Sequence, residues 1–463
     1  MSLFQLFEIG RRSLGAYDAA INVTGQNIAN AENENYSRQR VTFGSDGISI
    51  FGNRYPTPNR EALGLGVSVD RYERVRDGLL LQSSWDAQAD LGSAEEEYRI
   101  STALEGLLPA SGTGSLGDLL NNFWGAWNNL ADNPTDLGAR SAVLSRTEEL
   151  ASTLNRLDAD LSLQAEETER TLTEGVGQVN RLLDRLGTLN GQIAASRAAG
   201  TPDFAAEDER DALVNELSSY GPVQVAQDEA TGYAVKLNGM TVVQGETVLP
   251  LTLDTSGTVP TIGFSGTSVE YQARPPSDGS LGAWLRTLQD TIPALRSGLD
   301  QIAQALVTNV NAAQSSGYGL DGSTGNNLFD PAGTSASSIR LSTDVSDPRA
   351  IAASAAPNTP GDSSIALSIA ALRESDLVGG GTQTIDNLAI ELSTDLGVRA
   401  SQAQARATAA TSLNDYLTGL ERGVSGVDID EELTNLIKYQ QSYAAAARVI
   451  NTAQEMTDTI LAL

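Results

Sequence analysis

The side chains that perform most enzyme chemistry are missing from this sequence. Its 463 residues contain no histidine and no cysteine. That excludes a Ser-His-Asp triad, an HExxH zinc site, a thiolate nucleophile and any disulfide. Carboxylates and glycines remain. "GTGSLG" at 112–117 matches GxGxxG letter for letter, but a dinucleotide cradle needs a strand before the motif and a βαβ unit around it. The preceding "STALEGLL" reads as helix, so the motif is expected to be a turn between helices. Paired carboxylates occur in "EEE" (95–97) and "DIDEEL" (428–433). Glycoside hydrolysis needs two carboxyls about 5–10 Å apart across a cleft, which neighbours on one helix do not form. A solvated acidic face or a helix N-terminus accounts for them, with Asp428 placed to cap free amides. No Ser-x-x-Lys surrounds either lysine, and "LDGSTGNN" lacks the carboxylate spacing of a calcium loop. The expectation is a protein with no catalytic residues, no cofactor and no metal site, hence not an enzyme.

Charge narrows the partners. Fifty-nine acidic residues against 30 basic ones give a formal net charge of −29, which would repel nucleic acid. No window approaches the ~20 apolar residues of a membrane span. The start, "MSLFQLFEIGRRS", has no basic region ahead of its apolar part, so no ordinary cleaved signal peptide is expected. A cytoplasmic location follows, unless export needs no cleaved signal.

Long helices dominate the pattern, and the length suits about three domains. Near the start Phe7, Leu14, Ile21 and Ile28 recur every seven residues, interleaved with Leu3, Gly10, Tyr17, Thr24 and Ala31. Near the end Leu436, Tyr443 and Ile450 repeat the theme, interleaved with Tyr439, Ala446, Ala453 and Ile460. Two seams at opposite ends suggest that the ends pair; two independent helices packed on a core are the alternative. Between them Leu150, Leu154, Leu157 and Leu161 start a long helix, with a stutter from Thr168 through Leu172 to Val176. Leu281, Leu285, Leu288, Ile292, Leu295, Leu299, Ile302 and Leu306 keep 4-3 spacing unbroken, although Pro293 should kink this helix or begin a new one. A third run carries Leu396, Ala403, Ala410 and Leu417. Residues 222–275 lose the helical period, and Asn238-Gly239 sits between alternating strands as a type I′ hairpin. Tyr318, Leu328 and Phe329 anchor the glycine-rich loop that follows.

The fold expected is mainly α, with coiled-coil or bundle domains formed from both chain ends and a small inserted β domain. The domains are 1–70 plus 424–463 (axial helices and a connecting segment), 71–221 plus 276–423 (helical rod), and 222–275 (β insert).

Both ends then resemble a known family. "GQNIANAENENYSRQRV" (25–41) looks like the N-terminal motif of flagellar rod, hook and hook-associated proteins. "GVDIDEELTNLIKYQQSYAAAARVINTAQEMTDTIL" (426–461) strongly resembles the C-terminus of the hook-associated protein 1 (FlgK) family. "WNNLADNPTDLGARSAVLSRTEELASTLNRL", "DERDALVNELSSYGPVQV" and "TIPALRSGLDQIAQALVTNVNAAQSSGYGLDG" are similar to the same family. Two positions depart from it. Asn35 stands where a glycine is usual, and asparagine tolerates a left-handed backbone. Gln314 stands where a histidine is common and reads as a surface swap.

The resemblance implies a structural protein joining flagellar hook to filament. Another axial protein, such as hook-associated protein 3 or a rod or hook component, is the alternative. It implies an extracellular place in the flagellum, reached through the flagellar export apparatus without a cleaved signal. The implied partners are hook protein, hook-associated protein 3, copies of itself in a junction ring and a cytoplasmic export chaperone, with no nucleic acid and no membrane insertion. Phe7, Leu14, Ile21, Ile28, Leu436, Tyr439, Tyr443, Ile450 and Ile460 are the expected axial interface. Asn27, Asn30, Asn35, Tyr36 and Arg38 form the family's turn motif, in which Tyr36 anchors the returning chain and Arg38 and Arg40 meet acidic neighbours in the assembly.

Overall fold

A computed structural model describes residues 3–45, 66–228, 232–257, 259–271 and 278–461. Part of the expected connecting segment (46–65) and of the turn boundary "ARPPSDGS" (273–277) lies outside them.

The chain opens with helix α1 (Leu3–Ala29) and an antiparallel pair, β1 (Gln39–Ser45) and β2 (Val67–Arg74). Four helices follow: α2 (Gly78–Leu107), α3 (Leu116–Asp132), α4 (Leu137–Ala198) and α5 (Phe204–Ser218). Each begins where an oxygen-bearing side chain accepts from a free amide, Asp77, Ser115, Asp136 and Asp203 respectively. The "GTGSLG" stretch is the expected inter-helix turn: Gly112 and Gly114 have positive φ, and Ser115 caps α3. Helix α4 runs 62 residues, about 93 Å at ~1.5 Å per residue, and continues unbroken through the stutter. There a Cβ on Gly175 would fall 2.4 Å from the Trp284 ring, so glycine admits the indole.

The β segment has a four-stranded antiparallel sheet, β3 (Val223–Asp228), β4 (Gly232–Leu237), β5 (Met240–Gln244) and β6 (Thr247–Val248). A separate hairpin, β7 (Leu251–Asp254) and β8 (Thr261–Phe264), follows it. Asn238 and Gly239 both have positive φ between β4 and β5, the I′ turn expected from the sequence. Val235, Leu237, Val243, Ile262 and Phe264 join the same apolar core as α4, so the insert shares the helices' interior.

Helix α6 (Gly279–Arg286) passes through a π-helical turn (Thr287–Thr291) into α7 (Ile292–Ser316), with Pro293 in its first turn. The π turn, in which the Ile292 amide bonds the Thr287 carbonyl, is where the continuous helix accommodates the N–H that proline lacks. All eight residues of the 4-3 repeat from Leu281 to Leu306 are buried. The loop after α7 begins with β9 (Tyr318–Gly319), paired to β10 (Ala352–Ser354). Leu328 and Phe329 are fully buried, and Asn311 holds the Phe329 backbone by two 2.9 Å hydrogen bonds. Gln314 is not a surface residue. It is buried, with Nε2 directed at the Ala350 carbonyl, because its face of α7 is covered by this loop. Helices α8 (Ser364–Ala371), α9 (Ile385–Ser425) and α10 (Ile429–Leu461) complete the chain.

Candidate functional site: the terminal helix pair and its polar neck

Helices α1 and α10 pack side by side, bringing the chain ends together. Gly10 meets Ile450 and Ala446, while Asn27 meets Glu432, so the two helices are antiparallel. The stripe buried most completely on α1 is Gly10, Ala16, Ala20, Val23, Thr24 and Asn27; on α10 it is Glu432, Ala446 and Ala453. A Cβ on Gly10 would lie 2.4 Å from Ile450 Cγ1. Small residues therefore set the approach, and larger ones flank it. Phe7, Leu14, Ile21, Ile28, Leu436, Tyr439 and Ile450 are half-buried, whereas Tyr443 and Ile460 are exposed. Ile429, Leu433, Ile437, Val449 and Met456 also present apolar surface to solvent. Tyr17, Phe43 and Tyr439 form a short aromatic ladder that seats the β1–β2 pair on both helices, with ring centroids 5.9 and 6.1 Å apart.

The asparagine run ends α1 by side-chain chemistry. Asn30 donates to the Gln26 carbonyl, and the Tyr36 amide closes back on the Asn33 carbonyl. The non-glycine residues with left-handed backbone among those described are Asn238 and Asn358. Asn35 is not one of them, so this turn is made without the conformation that a glycine would favour. Tyr36 returns to the helix it left, donating its hydroxyl to Asn27 Oδ1 at 2.9 Å.

Asn27 is the hub. Its Oδ1 also accepts the Gln39 amide at 3.0 Å; its Nδ2 donates to the Gln39 carbonyl at 2.8 Å and to Glu432 Oε2 at 3.2 Å. Both faces of a buried amide are thus satisfied. Glu432, itself buried, accepts from Arg38 Nε at 2.7 Å, and Arg38 reaches Glu431 with two further bonds. Hydrogen bonding to Glu431, opposed by burial and helped by the charges of Glu432 and Glu431, raises the Arg38 pKa. Asp428 caps α10 by accepting the Asp430 and Glu431 amides. Arg38 and Arg40 find carboxylates, Glu431, Glu432 and Glu73, within this chain. Burial, reinforced by the charges of Asp208 and Glu432, pushes the Tyr36 hydroxyl up to about 12.

One residue further, the chain is gripped from the other side. Ser37 is buried and donates its amide and hydroxyl to Asp208 on α5, at 3.2 and 2.5 Å. Arg74, at the end of β2, contacts Glu207, Asp208 and Asp211 at 2.7–2.9 Å. Arg76 reaches Asp211 at 3.0 Å and donates to Ser37 Oγ at 2.7 Å, with Glu421 of α9 at 3.9 Å. Arg197 pairs with Glu207, while Arg210 lies beside Asp211 and over the Tyr233 ring. Four guanidiniums thus face four carboxylates. Burial lowers the Arg74 pKa, but Asp211, Asp208 and Glu207 outweigh it and hold it above its ordinary value. The "DERD" of α5 supplies this cluster, but its partners are distant in sequence and carry no periodic signal.

The "EEE" residues are not simply a solvated face. Glu96 accepts from Trp284 Nε1 at 2.7 Å, and Glu97 bridges Arg286 and Arg406. They tie α2 to α6 and α9.

Similarity to known proteins agrees with this architecture. Residues 101–329 match the family model "Flagellar hook-associated protein FlgK helical domain". Residues 424–463 match "Flagellar basal body rod FlgEFG protein C-terminal". Together the two segments span more than half of the chain. The chain is 27% identical to flagellar hook-associated protein 1 of Bacillus subtilis, covering 99% of this chain and 98% of that one. It is 23% identical to flagellar hook-associated protein 1 of Salmonella typhimurium, covering 97% and 98%. The solved flagellar hook junction protein FlgK from Burkholderia pseudomallei superposes with a TM-score of 0.64 at 17% identity. That match covers 74% of this chain and all of the other, and it supports the fold. With its helical body and both ends accounted for, the chain belongs to the flagellar hook-associated protein FlgK family.

Proposed function

We propose that this protein is a structural subunit of the flagellar hook–filament junction, joining hook to filament through its terminal helices. It is a flagellar structural protein and not an enzyme. The observation that carries the reading is the antiparallel α1–α10 pair, whose flanks leave Ile437, Tyr443, Val449, Met456 and Ile460 exposed. Large apolar side chains left exposed along a helix pair whose own contact is made mainly by small residues mark a place where another molecule docks. In this reading residues 1–70 and 424–463 form the axial unit, residues 71–221 and 276–423 the outer rod, and 222–275 the β insert. Neighbouring copies, hook protein and hook-associated protein 3 cover the axial flanks. A cytoplasmic chaperone guards the subunit before it leaves, without a cleaved signal, for the extracellular flagellum.

Two experiments test this. Deleting the gene should leave hooks intact while flagellin is shed into the medium; loss of the hooks themselves would assign the protein to the rod or hook instead. Replacing Ile437 by Asp, at an exposed position, should give a folded monomer that no longer caps hooks. Normal incorporation of that variant would remove the α10 flank from the interface.

A further inference from the structure

The terminal helix pair and the helical body meet without a shared apolar core. Among the described residues, the body's continuous core of buried side chains runs from Trp85 to Leu396. It includes none of Ala16, Ala20, Val23, Ala446 or Ala453, the buried apolar residues of the pair. The chain crosses between the two bodies at the short segments 75–77 and 426–428. What spans the junction is polar: Arg74 and Arg76 from the β1–β2 side, Asp208 and Asp211 from α5, and Ser37 held between them, with the exposed Arg422–Glu34 pair and one backbone bond from the Arg38 amide to the Ser425 carbonyl beside the 426–428 crossing. Glu421 adds a looser contact from α9.

Space surrounds this cluster. A cleft of about 750 Å³ separates the asparagine turn from the α4–α5 connection. A second of about 610 Å³ lies between that turn and residues 422–428. A third, of about 210 Å³, reaches Arg76, Asp208, Asp211 and Glu421 directly.

We propose that the Arg74–Arg76–Asp208–Asp211 cluster, with Ser37, is a releasable ionic clasp that fixes the angle between the terminal helix pair and the body. The chemistry favours release over unfolding. Parting an apolar core exposes hydrocarbon to water, whereas parting these ions delivers them to a solvent that hydrates them well. Closed, the clasp holds one orientation; open, it frees the pair to turn on segments 75–77 and 426–428 with both cores intact. Concentrated salt favours the open state, because the separated, hydrated ions gather screening counterions that the nearly buried closed pairs exclude.

The absence of native cysteine makes the test clean. Cysteines introduced at the exposed positions Asn22 on α1 and Thr188 on α4 carry spin labels, and pulsed EPR reads the distance between pair and body in the full chain. The expected result is one narrow distance at about 0.1 M sodium chloride and a broad distribution at about 1 M, with helical circular dichroism unchanged. In an R74M/R76M background the distribution should be broad already at low salt, while the body melts at its usual temperature. A distance that stays narrow at both salt concentrations, or in the folded double variant, overturns the proposal. So does broadening that comes only with loss of helical signal, since the cluster would then belong to the body's fold. If the double variant does not fold, the salt response of the unsubstituted clasp decides alone.

Discussion

The helical body and the terminal helix pair solve the same problem in opposite ways. In the body, large side chains go inward: Phe123, Trp124 and Trp127 are fully buried, and the 4-3 repeat of α6 and α7 is covered along its whole length. In the pair, Gly10, Ala16, Ala20, Ala446 and Ala453 go inward, joined towards the neck by Val23, Thr24, Asn27 and Glu432, while the bulkiest apolar residues flank the contact half-covered or exposed. A body that buries its bulky residues is complete on its own. A pair that buries small ones holds two helices together while leaving most of its hydrophobic driving force unspent. The difference teaches that burial within one chain and apolar character can be separated on purpose, one surface for each task.

Substitutions can break this contrast, and the largest effect is expected in the body. Leu154→Ala removes a fully buried side chain and should cost about 2–5 kcal/mol, read as a lower denaturant midpoint for tryptophan fluorescence. Amide exchange in α1 and α10 should stay unchanged if the two regions are independent. Next comes Asn27→Ala, which strands the Tyr36 hydroxyl, the Gln39 backbone and one oxygen of Glu432. A loss of about 1–3 kcal/mol should appear as faster exchange in α1 and α10 alone. A matching drop in body stability would show that the neck couples the two regions. The smallest effect is alkaline. The folded state raises the Tyr36 pKa from 10.0 to about 12, so it favours the neutral phenol. That contribution is fully present below pH 10 and is lost as the pH rises towards 12. Tyr36→Phe should abolish this alkaline loosening of α1, followed by exchange against phenolate absorbance.

Much of the body was legible because its signals are local. The Asn238-Gly239 turn, the inter-helix turn at 112–117 and the break in the helix at Pro293 each depend on a few adjacent residues. The run from Leu281 to Leu306 declares its buried face by spacing. The terminal pair was half legible. Periodicity weights bulky residues, so it picks out Phe7, Leu14, Ile21 and Ile28, while the closest approach is at Gly10 and the deepest burial includes Ala16 and Ala20, which such a reading treats as neutral. The clasp was illegible. Ser37 and Asp208 are separated by 171 residues and Arg38 and Glu432 by 394, and no pattern in one sequence joins ions across such distances. Gln314 misled for a related reason: a glutamine on a helix looks solvated until a distant loop folds over it.

Helix α4 gives the neck a mechanical meaning. Its C-terminal end, at Ser196, lines the cleft opposite Gln26 and Asn30, and its other end lies about 93 Å away. A helix of that length is a lever: turning it by roughly 5° at the neck sweeps its far tip through about 8 Å. The tolerance at that tip is therefore set at the neck. A loosening of a few tenths of an ångström among the arginines at the fulcrum becomes a displacement at the tip large enough to change which neighbour it touches.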